Sequence, residues 1–286
     1  MNPAVEVDRL SWTYHLAARP AVCDISLTIP AGEFTLIAGP NEAGKTTLAM
    51  AIKGLIPHSF PGRRAGVVRV FGEEVQRKEA ALLAKQVGYV FSDPEAQFTS
   101  LTVEEEILFG LENIGVPESE IEHRIRRASE LTMISDLLDK PPYDISGGQK
   151  QRVAIASVLA MDPEILILDE PTSMVDPLGK DLIVEICAEL RRRRRLTLIV
   201  IEHNLEAFAA LADRIVLIRG GRIERAAAPR EFLEDPEFLE RSGVYPPQVT
   251  QVFARLRAHG LYRGPLPLTD EEGIRAGDAL LRGAGA

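Results

Sequence analysis

Three short clusters in this chain combine residue types and spacings suited to phosphate chemistry. The first is Gly39-Pro40-Asn41-Glu42-Ala43-Gly44-Lys45-Thr46-Thr47, in which two glycines bracket four residues and a Lys-Thr pair follows. Glycines so placed let backbone N–H groups close on phosphate oxygens, and a helix starting directly afterwards adds a favourable dipole. Lys45 can then reach the β- and γ-phosphates of a nucleotide, and the Thr46 hydroxyl can hold Mg2+. The second cluster is Ser146-Gly147-Gly148-Gln149, where a hydroxyl and the free amides of a helix start also suit an anion. The third is the apolar run 165–168 that ends in Asp169-Glu170 and continues through Pro171-Thr172-Ser173 to Asp176. Alone, an acidic pair at a strand end is a solvated edge or a helix cap; beside the other two clusters it becomes part of a site.

The flanking patterns say which elements must hold these groups. Residues 34–38 form a compact apolar strand running into the glycine loop, and 46–55 read as the helix behind it. Residues 4–8 and 22–29 alternate apolar and polar, as short antiparallel strands do. Further strands are expected at 66–70 and 87–91, the latter entering a loop at Ser92-Asp93-Pro94. A helical stretch follows over about 103–140, with a helix at 148–161. Buried strands at 165–168 and 196–201 flank a helix at 178–195, and a hairpin at 214–218 and 222–224 turns on Gly220-Gly221. Strands alternating with helices predict a mostly parallel sheet with its chemistry at the strands' carboxyl ends. Beyond about residue 226, Pro229, Pro236, Pro246 and Pro247 punctuate short helical pieces, which reads as a C-terminal appendage.

Composition narrows the class. A chain of 286 residues with 45% hydrophobic and 26% charged residues can bury a substantial core. A net charge of −9 argues against a general nucleic-acid binder, so no nucleic-acid partner is expected. Five consecutive arginines, Arg191 to Arg195, read as a solvated helix end whose cations oppose the helix dipole. Cys23 and Cys187, both in apolar surroundings, read as buried thiols in a reducing compartment. No run approaches the ~20 apolar residues of a membrane span, and the N-terminus lacks a basic region followed by an apolar stretch.

In combination, the clusters resemble the nucleotide-binding subunits of ATP-binding-cassette (ABC) transporters. The resemblance implies an α/β fold: a P-loop NTPase (RecA-like) core with an antiparallel β subdomain, a helical subdomain and a small C-terminal helical extension. The ATPase domain would span 1–225, with the helical subdomain at about 98–150, and residues 226–286 would form an extension serving dimerisation. The implied ligands are ATP and Mg2+. Nucleotide contacts would come from Tyr14, stacked on adenine, and from Gly39, Pro40, Asn41, Glu42, Ala43, Gly44, Lys45, Thr46 and Thr47. The opposite subunit would add Ser146, Gly147, Gly148, Gln149 and Asp176. Thr46, Asp169 and the Ser92 position would serve the metal. Glu170 would act as general base, with Lys45 and His203, the latter in the switch position, completing the catalytic set.

Two positions depart from the family pattern. Glu42-Ala43 stands where Gly-Ser is usual, so the Glu42 carboxylate must point away from the phosphates or be paired. Ser92 stands where a Gln normally meets Mg2+ and the attacking water, and Ser is too short to span that distance directly. Nucleotide binding is expected to survive both changes; Ser92 puts hydrolysis or its coupling in question.

The stretches 93–97 and 102–110, with 242–249 and 265–272 in the tail, resemble energy-coupling-factor and cobalt-type importer ATPases. That branch implies two ATPase subunits, identical or paralogous, beneath a transmembrane coupling protein and a small substrate-binding membrane protein. The chain would sit peripherally on the cytoplasmic face of the membrane and energise uptake of a vitamin or transition-metal ion. Two alternatives differ in kind. One is a soluble cassette ATPase acting on DNA or ribosomes, which would carry long coiled coils or two cassettes. The other is a weakly hydrolysing partner in a heterodimeric transporter, motivated by Ser92.

Overall fold

The computed structural model describes residues 3–192 and 196–283. Two sheets carry the architecture. The first is antiparallel, in the order β2-β1-β4-β5, from β1 (Val5–Tyr14), β2 (Val22–Ile29), β4 (Gly62–Val70) and β5 (Glu73–Glu74). The second has the order β10-β9-β3-β8-β7-β6. Its strands are β3 (Phe34–Ala38), β6 (Val87–Val90), β7 (Ile165–Asp169), β8 (Thr197–Glu202), β9 (Arg214–Arg219) and β10 (Arg222–Ala227). All its pairings are parallel except β9–β10. β3, β6, β7 and β8 are buried along their whole length, as expected of parallel strands covered on both faces.

Helices fill the connections: α1 (Lys45–Lys53), α2 (Leu55–His58), α3 (Ala80–Gln86), α4 (Val103–Asn113), α5 (Glu118–Leu131), α6 (Gly147–Ala160) and α7 (Pro177–Arg192). The tail adds α8 (Pro229–Phe232), α9 (Pro236–Arg241), α10 (Gln248–Ala258) and α11 (Asp270–Gly283). Core packing follows strand parity. Ile37, Ile167, Ile199 and Val216 face the antiparallel sheet and α1. Leu36, Leu168, Leu198 and Leu217 face the opposite way, onto α6 and α7. Val103, Ile107, Ile125 and Leu137 form a separate core with the buried face of α6. A small cluster of Phe253, Tyr262 and Leu266 holds the tail together.

Several boundaries differ from expectation for local reasons. β1 runs on to Tyr14 because Arg9 adopts φ 48°, a bulge that breaks the apolar-polar alternation without ending the strand. Pairing with the extended β1 also draws β4 back to Gly62, where 66–70 was expected. α6 starts at Gly147 because Ser146 caps it, with Gln149 closing the reciprocal bond of a capping box. Of the arginine run, Arg191 pairs with Asp213 at 2.7 Å and Arg192 pairs with Glu189, so both are engaged on the protein's own surface. Residues 193–195 lie outside the described residues.

Candidate functional site

Register brings the first and third sequence clusters to one end of the parallel sheet. Ala38 stands beside Glu202, Asp169 beside Ile201, and Val90 beside Leu168. The loops leaving β3, β7, β8 and β6 therefore emerge side by side at the carboxyl ends, where open α/β sheets bind ligands. A cleft of about 480 Å3 opens there, lined by Tyr14, Ala21, Asn41, Glu42, Ala43, Gly44, Lys45, Thr46, Thr47, Ser92, Asp169 and Glu170.

The glycine loop has its shape because only glycine fits at two points. Gly39 has φ 153°, and a Cβ there would lie 2.1 Å from the Ile218 carbonyl oxygen. Gly44 has φ 103°, and a Cβ would meet the Ala21 carbonyl oxygen at 2.4 Å. Gly44 is also the N-cap of α1 and offers no side-chain acceptor, so the first amides of that helix face the cleft uncapped. Glu42 has φ 62° and is solvent-exposed while lining the cleft.

Lys45 is buried, and its Nζ donates to the Gly39 and Pro40 carbonyls at 2.9 and 3.0 Å. Gly39 and Pro40 thus meet the site through their carbonyls rather than by lining the cleft. Burial lowers the Lys45 pKa, opposed by Glu170, Asp169 and Glu202. Asp169 is 2% exposed; it accepts from the Tyr89 hydroxyl at 2.7 Å through Oδ2, and its Oδ1 has no hydrogen-bond partner. Burial raises its pKa, and the Tyr89 and Thr46 hydroxyls oppose that rise. Burial, reinforced by Asp169, also pushes the Tyr89 phenol well up, so it stays a donor.

These groups fit a small hard cation carried in with a phosphate chain. A buried, unpartnered carboxylate oxygen beside a Thr hydroxyl supplies oxygen donors of the kind Mg2+ takes alongside substrate phosphates. Among the described residues no cluster of three or more His, Cys, Asp or Glu forms a cage of its own.

Tyr14 lines the cleft with its ring flanked edge-on by Trp12 at 5.8 Å and Phe60 at 6.3 Å. Its hydroxyl lies 3.1 Å from Thr47 Oγ1. Trp12 is fully buried and cannot offer a face to a ligand.

Not every expected residue reaches the cleft. His203 is 51% exposed and lines a separate hollow with Thr172, Ser173, Lys180 and Asn204. The residue before it, Glu202, turns inward instead and is 1% exposed. Glu202 accepts the Thr172 hydroxyl at 2.6 Å and the Thr172 amide at 3.2 Å, while its Oε2 has no partner. Burial raises its pKa against the pull of those Thr172 bonds. Gln97 also points away, donating weakly to the Ala154 carbonyl and to Ser157 at 3.4 Å, so Ser92 alone represents that loop in the cleft. Beyond Ser92 the loop is tied to α6 by Glu95 and Lys150, 2.5 Å apart.

Ser146, Gly147, Gly148 and Gln149 also lie outside the cleft. Their helix start packs on residues 174–176 of the same chain: a Cβ on Gly147 would sit 2.9 Å from the Met174 carbonyl oxygen. Asp176 accepts from the Gly179 amide at 3.1 Å and caps α7. The surface around them is open, with Ser146, Gly147 and Asp176 exposed beside Tyr143, Met174 and Leu178.

Sequence reasoning missed Tyr89, the partner of Asp169. Tyr89 sits in a wholly buried strand, where an aromatic reads as core.

The ABC transporter family profile matches residues 22–173. The chain is 45% identical over 257 residues to a putative ABC transporter ATP-binding protein from Caldanaerobacter subterraneus subsp. tengcongensis. That match covers 90% of this chain but 45% of the relative, so the chain spans under half of that protein. It is 39% identical over 274 residues to the same organism's energy-coupling factor transporter ATP-binding protein EcfA2, covering 94% of each. Among solved structures, CbiO1 from Clostridium perfringens, part of the ABC transporter complex CbiONQ, superposes with a TM-score of 0.74 at 30% identity. That superposition covers 92% of this chain and 100% of CbiO1.

Proposed function

The chain belongs to the ABC transporter family of ATP-binding proteins, and from that premise we propose that it hydrolyses ATP to drive an energy-coupling-factor-type importer. The observation that carries this reading is the separation of the two phosphate-binding surfaces. The glycine loop, Lys45, Thr46 and Asp169 share one cleft, while the Ser146 helix start faces outward elsewhere. A site divided in this way is completed by a second subunit, whose Ser146–Gln149 segment closes over the nucleotide held here.

Each residue then has a part. Amides of 41–46 and the α1 N-terminus bind the phosphates, and Lys45 moves from the Gly39 and Pro40 carbonyls to the phosphate charge. Thr46 and Asp169 would hold Mg2+, which would offset charge on the phosphate oxygens. Glu170 accepts a proton from the attacking water; it is placed by a left-handed backbone, φ 48°, and by the hydrogen bond its backbone N–H donates to the Ile201 carbonyl at 2.9 Å. Tyr14 packs on the base.

Exposed Leu101, just before α4, and Phe109, within it, suit contact with an apolar membrane subunit. The transported solute is a vitamin or transition-metal ion that this subunit does not touch. Residues 226–286 contribute to pairing of the two ATPase subunits. Among the described residues no helix is long and apolar enough to cross a membrane. The helical region holds helices of 11 and 14 residues, which supports the transporter reading over a DNA-directed ATPase with long coiled-coil arms.

The test is capture of partners with a tagged Glu170→Gln chain from detergent-solubilised native membranes in the presence of ATP. A large coupling membrane protein together with a small membrane subunit is the expected catch. Soluble partners, DNA or ribosomes alone would overturn the importer assignment.

A further inference from the structure

We propose that Tyr89 is a positioning residue for the metal-binding carboxylate: its phenol claims one oxygen of Asp169 and leaves the other for the cation that arrives with the nucleotide. The inference rests on the ATP-hydrolase reading above. Tyr89 opposes Ile167 in the β6–β7 pairing, and Asp169 is two residues along β7 on the same face. The phenol therefore reaches diagonally to Asp169 and donates to Oδ2 at 2.7 Å. Phe91 supports the tyrosine ring from 4.7 Å, and Tyr89 is buried, which fixes where its hydroxyl lies.

The need for such a contact comes from the side chain itself. An aspartate's terminal torsion is broad and nearly two-fold, so packing alone does not decide which oxygen faces a ligand. Lys45 spends its bonds on the Gly39 and Pro40 carbonyls. Ser92, three residues beyond Tyr89, lines the cleft with a side chain too short to reach across it. The phenol makes the one bond of good geometry to the carboxylate, to Oδ2, ahead of the weaker influence of the Thr46 hydroxyl, and Oδ1 is buried with no partner within hydrogen-bond geometry.

Tyr89→Phe removes the hydroxyl and keeps the ring. Fluorescent ATP-analogue titrations of the full chain, with Mg2+ and with EDTA, separate the effects. In EDTA the variant is expected to bind as the wild type does, which also establishes that it is folded. With Mg2+, the concentration of metal needed for half-maximal tightening should rise about 10–100-fold, the usual cost of losing a partner behind a metal ligand. Equal Mg2+ dependence in the two proteins would overturn the proposal, as would an equal loss of binding with and without metal. A wild-type chain that binds no nucleotide in either condition would instead overturn the hydrolase reading, and this inference with it.

Discussion

Lys45 Nζ stands 3.7 Å from Glu170 Oε1 while donating to two carbonyls of its own loop. The cation that meets the phosphates and the carboxylate assigned to activate water thus restrain one another at the cleft. Replacing Glu170 with Gln keeps the shape and removes the base. Steady-state hydrolysis should fall by about 10²–10⁴, the usual contribution of a positioned general base, with nucleotide binding retained. ATP should then convert the variant from monomer to dimer in size-exclusion light scattering. A variant that stays monomeric at saturating ATP would defeat the two-subunit site.

Ser92 gives a gain-of-function test. It is the residue of its loop that lines the cleft, and Gln97 is committed to α6. Ser92→Gln restores a side chain long enough to reach the metal and attacking water, and should raise turnover several-fold in the assembled transporter. Unchanged phosphate release in that complex would mean the short side chain does not limit the reaction.

Where the sequence spoke clearly, a local pattern and a motif coincided. Residues 34–38 are apolar throughout and lead into glycines that only a tight loop needs, so strand, loop and helix were legible together. Arg9 shows the opposite case: a left-handed residue inside β1 interrupts the alternation that marks a strand, and the strand continues because β2 and β4 pair with it on both sides. His203 and Glu202 show why site membership is harder still. Glu202 ends β8 buried and His203 follows it exposed, and where that strand end lies depends on the register of β8 against β3 and β7, a relationship between segments far apart in the chain.

Gly39 tests the loop geometry without touching a charge. Gly39→Ala would force a Cβ to 2.1 Å from the Ile218 carbonyl oxygen at a φ that L-residues rarely adopt. Stability should fall by about 2 kcal/mol or more, with loss of nucleotide binding. Gly277→Ala, in α11 with nothing within 4 Å of the added methyl, is the control. It should leave binding intact and be neutral or stabilising by about 0.5–1 kcal/mol. Thermal melts and nucleotide titrations of the two variants should diverge accordingly.

Glu202 makes the protein's stability depend on pH in a direction that can be worked out. Burial lifts its pKa above the ordinary 4.5, and the Thr172 bonds do not cancel that rise. A carboxyl whose folded pKa is raised holds its proton more tightly in the native state than in the unfolded chain. Its contribution is therefore complete below about pH 4.5 and is lost as pH climbs through the folded value. Glu202→Gln keeps an acceptor for the Thr172 hydroxyl and amide but cannot ionise. The variant should melt higher than the wild type at pH 8, by about 2–4 °C for each ~1 kcal/mol regained, and the gap should close as pH approaches 4.5. Asp169 is raised in both proteins, so the difference between their melting curves reports Glu202 together with its coupling to Lys45, Glu170 and His203. A variant that melts lower at pH 8 would show that the ionised carboxylate is stabilised by its surroundings, against the burial seen here.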